Sequence, residues 1–289
     1  MSVPLATVFG HGFFESGPVH TALTVGATAA IVSGTVGVFA VIRGQSFAGE
    51  ALSDIGAAGG SAAFLAGVGA LWGFLASAVG AAAVMELIGI QRPRGRDLAT
   101  GIVLGASLGI AALLLYLGTT VRSTTGATVT ILFGSLFAVD PGTIPAIVAF
   151  SALALAVIML VQRPLLLSSL SPELAAARGI RVRVIGATYL LALAVAVALA
   201  ALSIGAILGT ALLIGPAATA LRLTSRPGRA IAIAAAIGMA ATWLGIVLAY
   251  DSFYWPPRGH GWPVSFFVVA LVLMAYLVAR LPAMVRRNH

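Results

Sequence analysis

The chain contains no cysteine and no lysine, and only 8% of its 289 residues are charged. Each scarcity removes a class of protein. Without cysteine there is neither a disulfide framework nor a thiolate metal site. Without lysine the phosphate-cradling loop G-x-x-x-x-G-K-[ST] is impossible, so this chain does not hydrolyse ATP by that route. A soluble domain carries about a quarter charged residues. A chain this poor in charge could not cover a surface facing water.

What stands in place of charge is apolar. Hydrophobic residues make up 60% of the chain, and its mean hydropathy is +1.09. The apolar runs reach the roughly 20 residues that a helix needs to cross a bilayer. They are apolar all round, whereas lipid-spanning strands alternate. The sequence predicts an all-α integral membrane protein, one domain over residues 1–289 built as a bundle of about eight or nine transmembrane helices. Candidate spans lie near 19–42, 55–70, 71–90, 98–118, 143–162, 184–201, 203–221, 230–249 and 264–281. Residues 127–138 are apolar but too short to cross, which suits a re-entrant or surface segment. Residues 1–18 lack an early positive region and carry His11 and Glu15, so they read as a short external segment rather than a cleaved signal peptide.

The basic residues, all arginine, give a net charge of +8. Nine crossings with the N-terminus outside leave Arg122 and Arg258 outside and put every other arginine inside, as the positive-inside rule requires. The charge therefore marks the cytoplasmic face of a membrane protein, with no nucleic acid needed to explain it. Glycines also follow a pattern. Gly101, Gly105 and Gly109 sit four apart, as do Gly56 with Gly60 and Gly205 with Gly209. Small residues at that spacing let helices approach closely in lipid.

The inside loop after the fifth span spells a short helix. Ser171 suits an N-cap, Pro172 the first helical position, and Glu173 the positive end of the dipole. Leu174, Ala175, Ala176 and Ala177 continue it. Arg178 complements its negative end and Gly179 fits a left-handed C′ position. So short a helix is unstable alone in water, so residues 171–179 either dock on a partner or pack on their own bundle.

Polar residues within the spans are few. Pro216, between Gly215 and Thr219, lacks an N–H and predicts a kinked or opened helix, which either borders a solute path or is resatisfied by neighbours such as Thr219. Glu50 and Asp54 are four apart and share one face if helical. Two carboxylates together repel unless a cation or proton joins them, and oxygen ligands suit hard divalent ions such as manganese. The competing reading leaves Glu50 solvated in a loop while Ser53 or Asp54 caps the second span. The histidines His11, His20, His260 and His289 form no i,i+4 pair; His20 and His260 could meet on the outer face. Tyr250, Tyr254, Trp255 and Trp262 suit an interfacial belt.

Several stretches resemble one family in the same order. Pro172-Glu173-Leu174-Ala175, followed by Gly179-Ile180, looks like the coupling helix of permeases that import zinc, manganese or iron through bacterial ABC transporters. Phe39 to Ser53, Asp97 with Gly101-Ile102, Leu132 to Leu136 with Asp140-Pro141, Ile204 to Leu208, Ala211 to Ala220, and Tyr250 onward resemble other segments of that family. The resemblance covers about residues 20–280. It implies a permease that binds no cofactor and is not itself an enzyme. In such systems two separate ATPase subunits use the ATP, an external metal-binding protein delivers a divalent metal, and two copies of the permease form the path across the plasma membrane. Residues 171–179 would then meet the ATPase. The family usually carries an acid followed four residues later by histidine; here Glu50 stands for the acid and Asp54 replaces the histidine. Two alternatives stay open, an ion- or proton-coupled secondary carrier and an ABC permease for a chelate or another solute.

Overall fold

The computed structural model describes residues 13, 15–90, 93–122, 130–134, 136–255 and 261–285, and every regular element among them is helical. The principal helices are α1 (Gly17–Ile42), α2 (Ser46–Ala66), α3 (Ala70–Ile88), α4 (Pro93–Arg122), α5 (Ile144–Leu170), α6 (Pro172–Ala177), α7 (Val182–Ile204), α8 (Ala206–Leu223), α9 (Pro227–Asp251) and α10 (Val264–Val285). Eight of them are long and apolar enough to cross a membrane. The exceptions are α6, which is short, and α2, whose polar residues dilute its hydropathy.

Side-chain contacts nevertheless show that α2 runs the depth of the bundle. Arg43, at the end of α1, donates from Nη1 to Ser168 Oγ (3.4 Å) and Ser169 Oγ (3.1 Å) at the end of α5. Arg183, at the start of α7, pairs with Glu86 near the end of α3 at 3.3 Å. Helix α6 joins α5 to α7, so α1, α3 and α5 all finish at one end, which we call the basic end. Since α3 is itself a span, α2 must lead back through the bundle from α1 to the start of α3. At the same end Arg222 of α8 lies over the Tyr276 ring of α10, 5.2 Å from its centroid.

The second span begins earlier than the sequence suggested, at Ser46 rather than about 55. Gly44, at φ +63°, closes α1: its N–H bonds the Val41 carbonyl and the Gln45 N–H bonds that of Ala40. This left-handed turn satisfies the last carbonyls of α1 and lets α2 start almost at once, with Gly49 N–H on the Gln45 carbonyl. The polar residues Glu50, Ser53 and Asp54 therefore belong to the helix, which corrects the reading that Ser53 or Asp54 caps it.

The innermost helices are α1 and α7, with 72% and 67% of an apolar 18-residue stretch buried, against 24%, 22% and 28% for α4, α5 and α10. Close contacts on α1 are backbone to backbone. A Cβ on Gly34 would lie 2.9 Å from the Ala234 carbonyl carbon of α9, and one on Gly37 would overlap the Leu213 carbonyl of α8. Gly56 and Gly60 face Phe74 of α3, and Gly209 faces the Ala201 backbone. Among the described residues, nothing lies within 4 Å of a Cβ built on Gly101, Gly105 or Gly109. That stripe does not pack the bundle internally, which corrects the expectation for it.

Between α4 and α5, residues 130–133 are helical and Leu136–Ala138 form a 3-10 turn. Leu136 is fully buried, and its Cδ1 would lie 3.6 Å from a Cβ on Gly26, nine residues into α1. At 1.5 Å per residue that is about 13 Å below the start of α1, so the segment enters the bundle. Midway along it, Gly134 (φ +73°) touches Gly205 (φ +89°) of the α7–α8 junction backbone to backbone. Two of the family-like stretches, Leu132 to Leu136 and Ile204 to Leu208, thus meet here.

Candidate coupling and translocation site

At the basic end, α6 hangs between α5 and α7. Ser171 closes α5 through its N–H on the Leu167 carbonyl (2.9 Å) and opens α6, its Oγ accepting from Leu174 N (3.3 Å). Pro172 occupies the first turn with Glu173. Arg178 is the C-cap, its N–H on the Leu174 and Ala175 carbonyls. Gly179, at φ +77°, donates to Ala176 O while Ile180 donates to Ala175 O. Both ends are thus closed by the residues expected from sequence. Of the six helical residues only Ala175 is buried, whereas Leu174 is 59% exposed and Leu170, just before the helix, 73%. Leu170 and Leu174 thus leave apolar surface at the polar end of the bundle.

The carboxylates sit on α2, about one and two turns from its start at that end. Glu50 and Asp54 are each half-buried. On the adjoining face of α2, Ser53 is buried and donates to the Ala206 carbonyl at the start of α8 (2.7 Å), and a Cβ on Gly49 would lie 2.8 Å from Leu213 Cδ2. Among the described residues no three His, Cys, Asp or Glu side chains come together; Glu50 and Asp54 stand as a pair on α2. His20 is exposed; His11, His260 and His289 lie outside the described residues, so a meeting of His20 with His260 does too. Helix α8 continues through Pro216, with Thr219 Oγ1 donating to the Gly215 carbonyl (2.7 Å). The break in this region comes instead at Gly205, between α7 and α8. Pro216 and Thr219 are buried, and a Cβ on Gly215 would overlap Val272 of α10.

Residues 18–279 match the model of the ABC 3 transport family. The chain belongs to that family. A manganese import system permease protein of Streptococcus parasanguinis, ScaB, is 30% identical over 247 residues, 86% of this chain and 87% of its own. A manganese transport system membrane protein of Listeria innocua, MntC, is 28% identical over 243 residues, 84% of this chain and 85% of its own. Among solved structures, PsaBC from Streptococcus pneumoniae in complex with Fab is similar at a TM-score of 0.81 and 25% identity, over 96% of this chain and 95% of that one. This ABC 3 protein is accordingly a multi-pass membrane permease of the ABC transport type.

Sequence reasoning missed one group in this ABC 3 permease. Arg43 counted only as a marker of membrane side, yet it reaches the two serines that precede α6. The Ser168-Ser169 pair ahead of the Ser171 cap was the available signal.

Proposed function

We propose that this ABC 3 permease carries a divalent metal, manganese foremost, into a bacterial cell across the plasma membrane. Two copies form the path. A separate ATPase subunit docks on each copy at α6 and supplies the ATP hydrolysis, and an external metal-binding protein delivers the ion. The N-terminus faces outward and the basic end is cytoplasmic, in keeping with the arginine distribution. The observation that carries the reading is α6 itself: closed at both ends, exposed along its length, and bearing Leu174 outward at the basic end.

Glu50 and Asp54 are the proposed ligands in the path. One copy supplies two carboxylates, so pairing two copies brings four oxygen-bearing groups, a donor set suited to manganese. The names of the relatives support the same metal. Pro216, on a helix packed between α1 and α10, lies beside that path.

Proline in α6 tests the reading. Ala176→Pro removes an interior N–H and clashes with the preceding turn, at a cost of about 3 kcal/mol or more. A helix of six residues cannot absorb that. Membrane insertion should persist while manganese uptake is lost and the ATPase subunit no longer co-purifies. Ala176→Ser, a change of about half a kcal/mol in propensity, should transport normally. Normal uptake by the proline variant would reduce α6 to a connector and bring forward the ion- or proton-coupled carrier.

A further inference from the structure

We propose that Arg43 is a positioning residue that ties α6 to the acid-bearing helix α2, so that movement of the docked helix reaches Glu50 and Asp54 through one guanidinium. The inference rests on the transport reading above and adds the route by which its two ends communicate.

Arg43 lies where two connections have no slack. On one side, Gly44 and Gln45 are all that separate Arg43 from the start of α2. On the other, Ser168 and Ser169 are followed after one residue by Ser171, which ends α5 and begins α6 at the same time. Both hydroxyls give their hydrogen to the Leu165 carbonyl, Ser168 at 2.9 Å and Ser169 at 2.6 Å. Their lone pairs are thereby turned toward Arg43 Nη1, and hydrogen bonds from a charged donor are about twice as strong as neutral ones. The Arg43 Nε contacts Gln45 Oε1 at 3.4 Å, and Gln45 is buried.

The guanidinium also has a fixed seat. It lies over the ring of Tyr189 at 5.4 Å, and that ring is fully buried in α7 with its hydroxyl on the Val36 carbonyl (3.4 Å). A displacement of the α5–α6 junction therefore pulls on a side chain held against a rigid wall, and what yields is the short turn into α2. Glu50 stands one turn beyond the first residues of that helix and Asp54 the next turn on. A plain surface arginine would need neither the paired acceptors nor the aromatic seat.

The test uses the whole complex of permease, ATPase and binding protein in vesicles, with manganese uptake and phosphate release read from the same sample. Arg43→Gln should lower ions moved per ATP by at least about tenfold, the factor that a single hydrogen bond to a charged group supplies at its low end, while ATP hydrolysis and complex yield stay near wild type. Arg43→Lys, which keeps the charge but not the fork, should recover part of the ratio. Ser168→Ala with Ser169→Ala removes the same two bonds while leaving Arg43 on Tyr189, and should lower the ratio by nearly as much. Combined with Arg43→Gln it should add no further loss, because all three side chains act in one link. Losses that multiply, or an unchanged ratio in either variant, would overturn the proposal. If Arg43→Gln does not assemble, the serine variant decides alone. A wild-type complex that fails to couple ATP to manganese would remove the transport reading and this inference together, whereas coupling intact in every variant removes only this one.

Discussion

Helices α1 and α4 both carry glycines at helical spacing, and they use them in opposite ways. In α1, Gly34 and Gly37 let the backbones of α9 and α8 come into contact. In α4, Gly101, Gly105 and Gly109 have open space where a side chain would be. A small-residue stripe permits close approach in lipid but does not say which helix comes near. Position in the bundle decides that: α1 is enclosed by α5, α7, α8 and α9, whereas α4 leans on α2 and touches α3 more lightly.

The largest effect predicted from this contrast is at Gly37. Even a Cβ there meets the Leu213 carbonyl, which as backbone cannot turn aside. Gly37→Leu adds three more carbons at the same place. Overpacking ordinarily costs about 1–3 kcal/mol, occasionally more, and this case belongs at or beyond the upper end. The purified variant should unfold at far lower temperature in detergent, or fail to yield folded protein. A melting temperature within a few degrees of wild type would break the comparison, since α1 would then have room it is not shown to have.

Helix α2 falls between the two, enclosed like α1 on one face and polar on another. Asp54→Asn removes a charge without changing shape at a half-buried position, so stability should hold. Manganese uptake should fall by at least about tenfold, equivalent to about 1.4 kcal/mol, with ATP hydrolysis losing its response to the metal. Asp54→His, which gives α2 the acid-and-histidine pair of the resembling family, should retain uptake and shift preference toward zinc. Full manganese uptake by Asp54→Asn would take this carboxylate out of the path.

These cases also separate what the residues reveal from what only packing can. The spans and the caps of α6 follow from local rules: periodicity and capping chemistry. Ser171 and Gly179 act within a few residues of themselves, so their roles are written in their neighbours. The start of α2 escaped because Glu50, Ser53 and Asp54 lower its hydropathy, while its buried contacts, Gly49 on Leu213 and Ser53 on Ala206, are far apart in sequence. The seat of Arg43 on Tyr189 joins residues from two helices in the same way. Pro216 shows the converse: a strong local breaker stands inside a helix that continues through it, held by α1, α9 and α10 around it, while the junction breaks at Gly205.

The smallest effect concerns Gly105. Among the described residues nothing lies within 4 Å of a Cβ built there, so Gly105→Ala costs none of the described contacts. Glycine is about 1 kcal/mol worse than alanine within a helix, so the isolated permease should be unchanged or slightly more resistant to unfolding in detergent. The informative measurement repeats this in the assembled complex. An equal, small gain in both settings would mean that this face of α4 meets only lipid. A gain in the isolated chain turned into a loss in the complex would mean that another helix comes close to α4 there, as α8 and α9 do to α1. The contrast between the two helices would then be one of timing, since α1 is packed on folding and α4 on assembly. A loss already present in the isolated chain would break the comparison, because the open space at Gly105 would be filled by the chain itself.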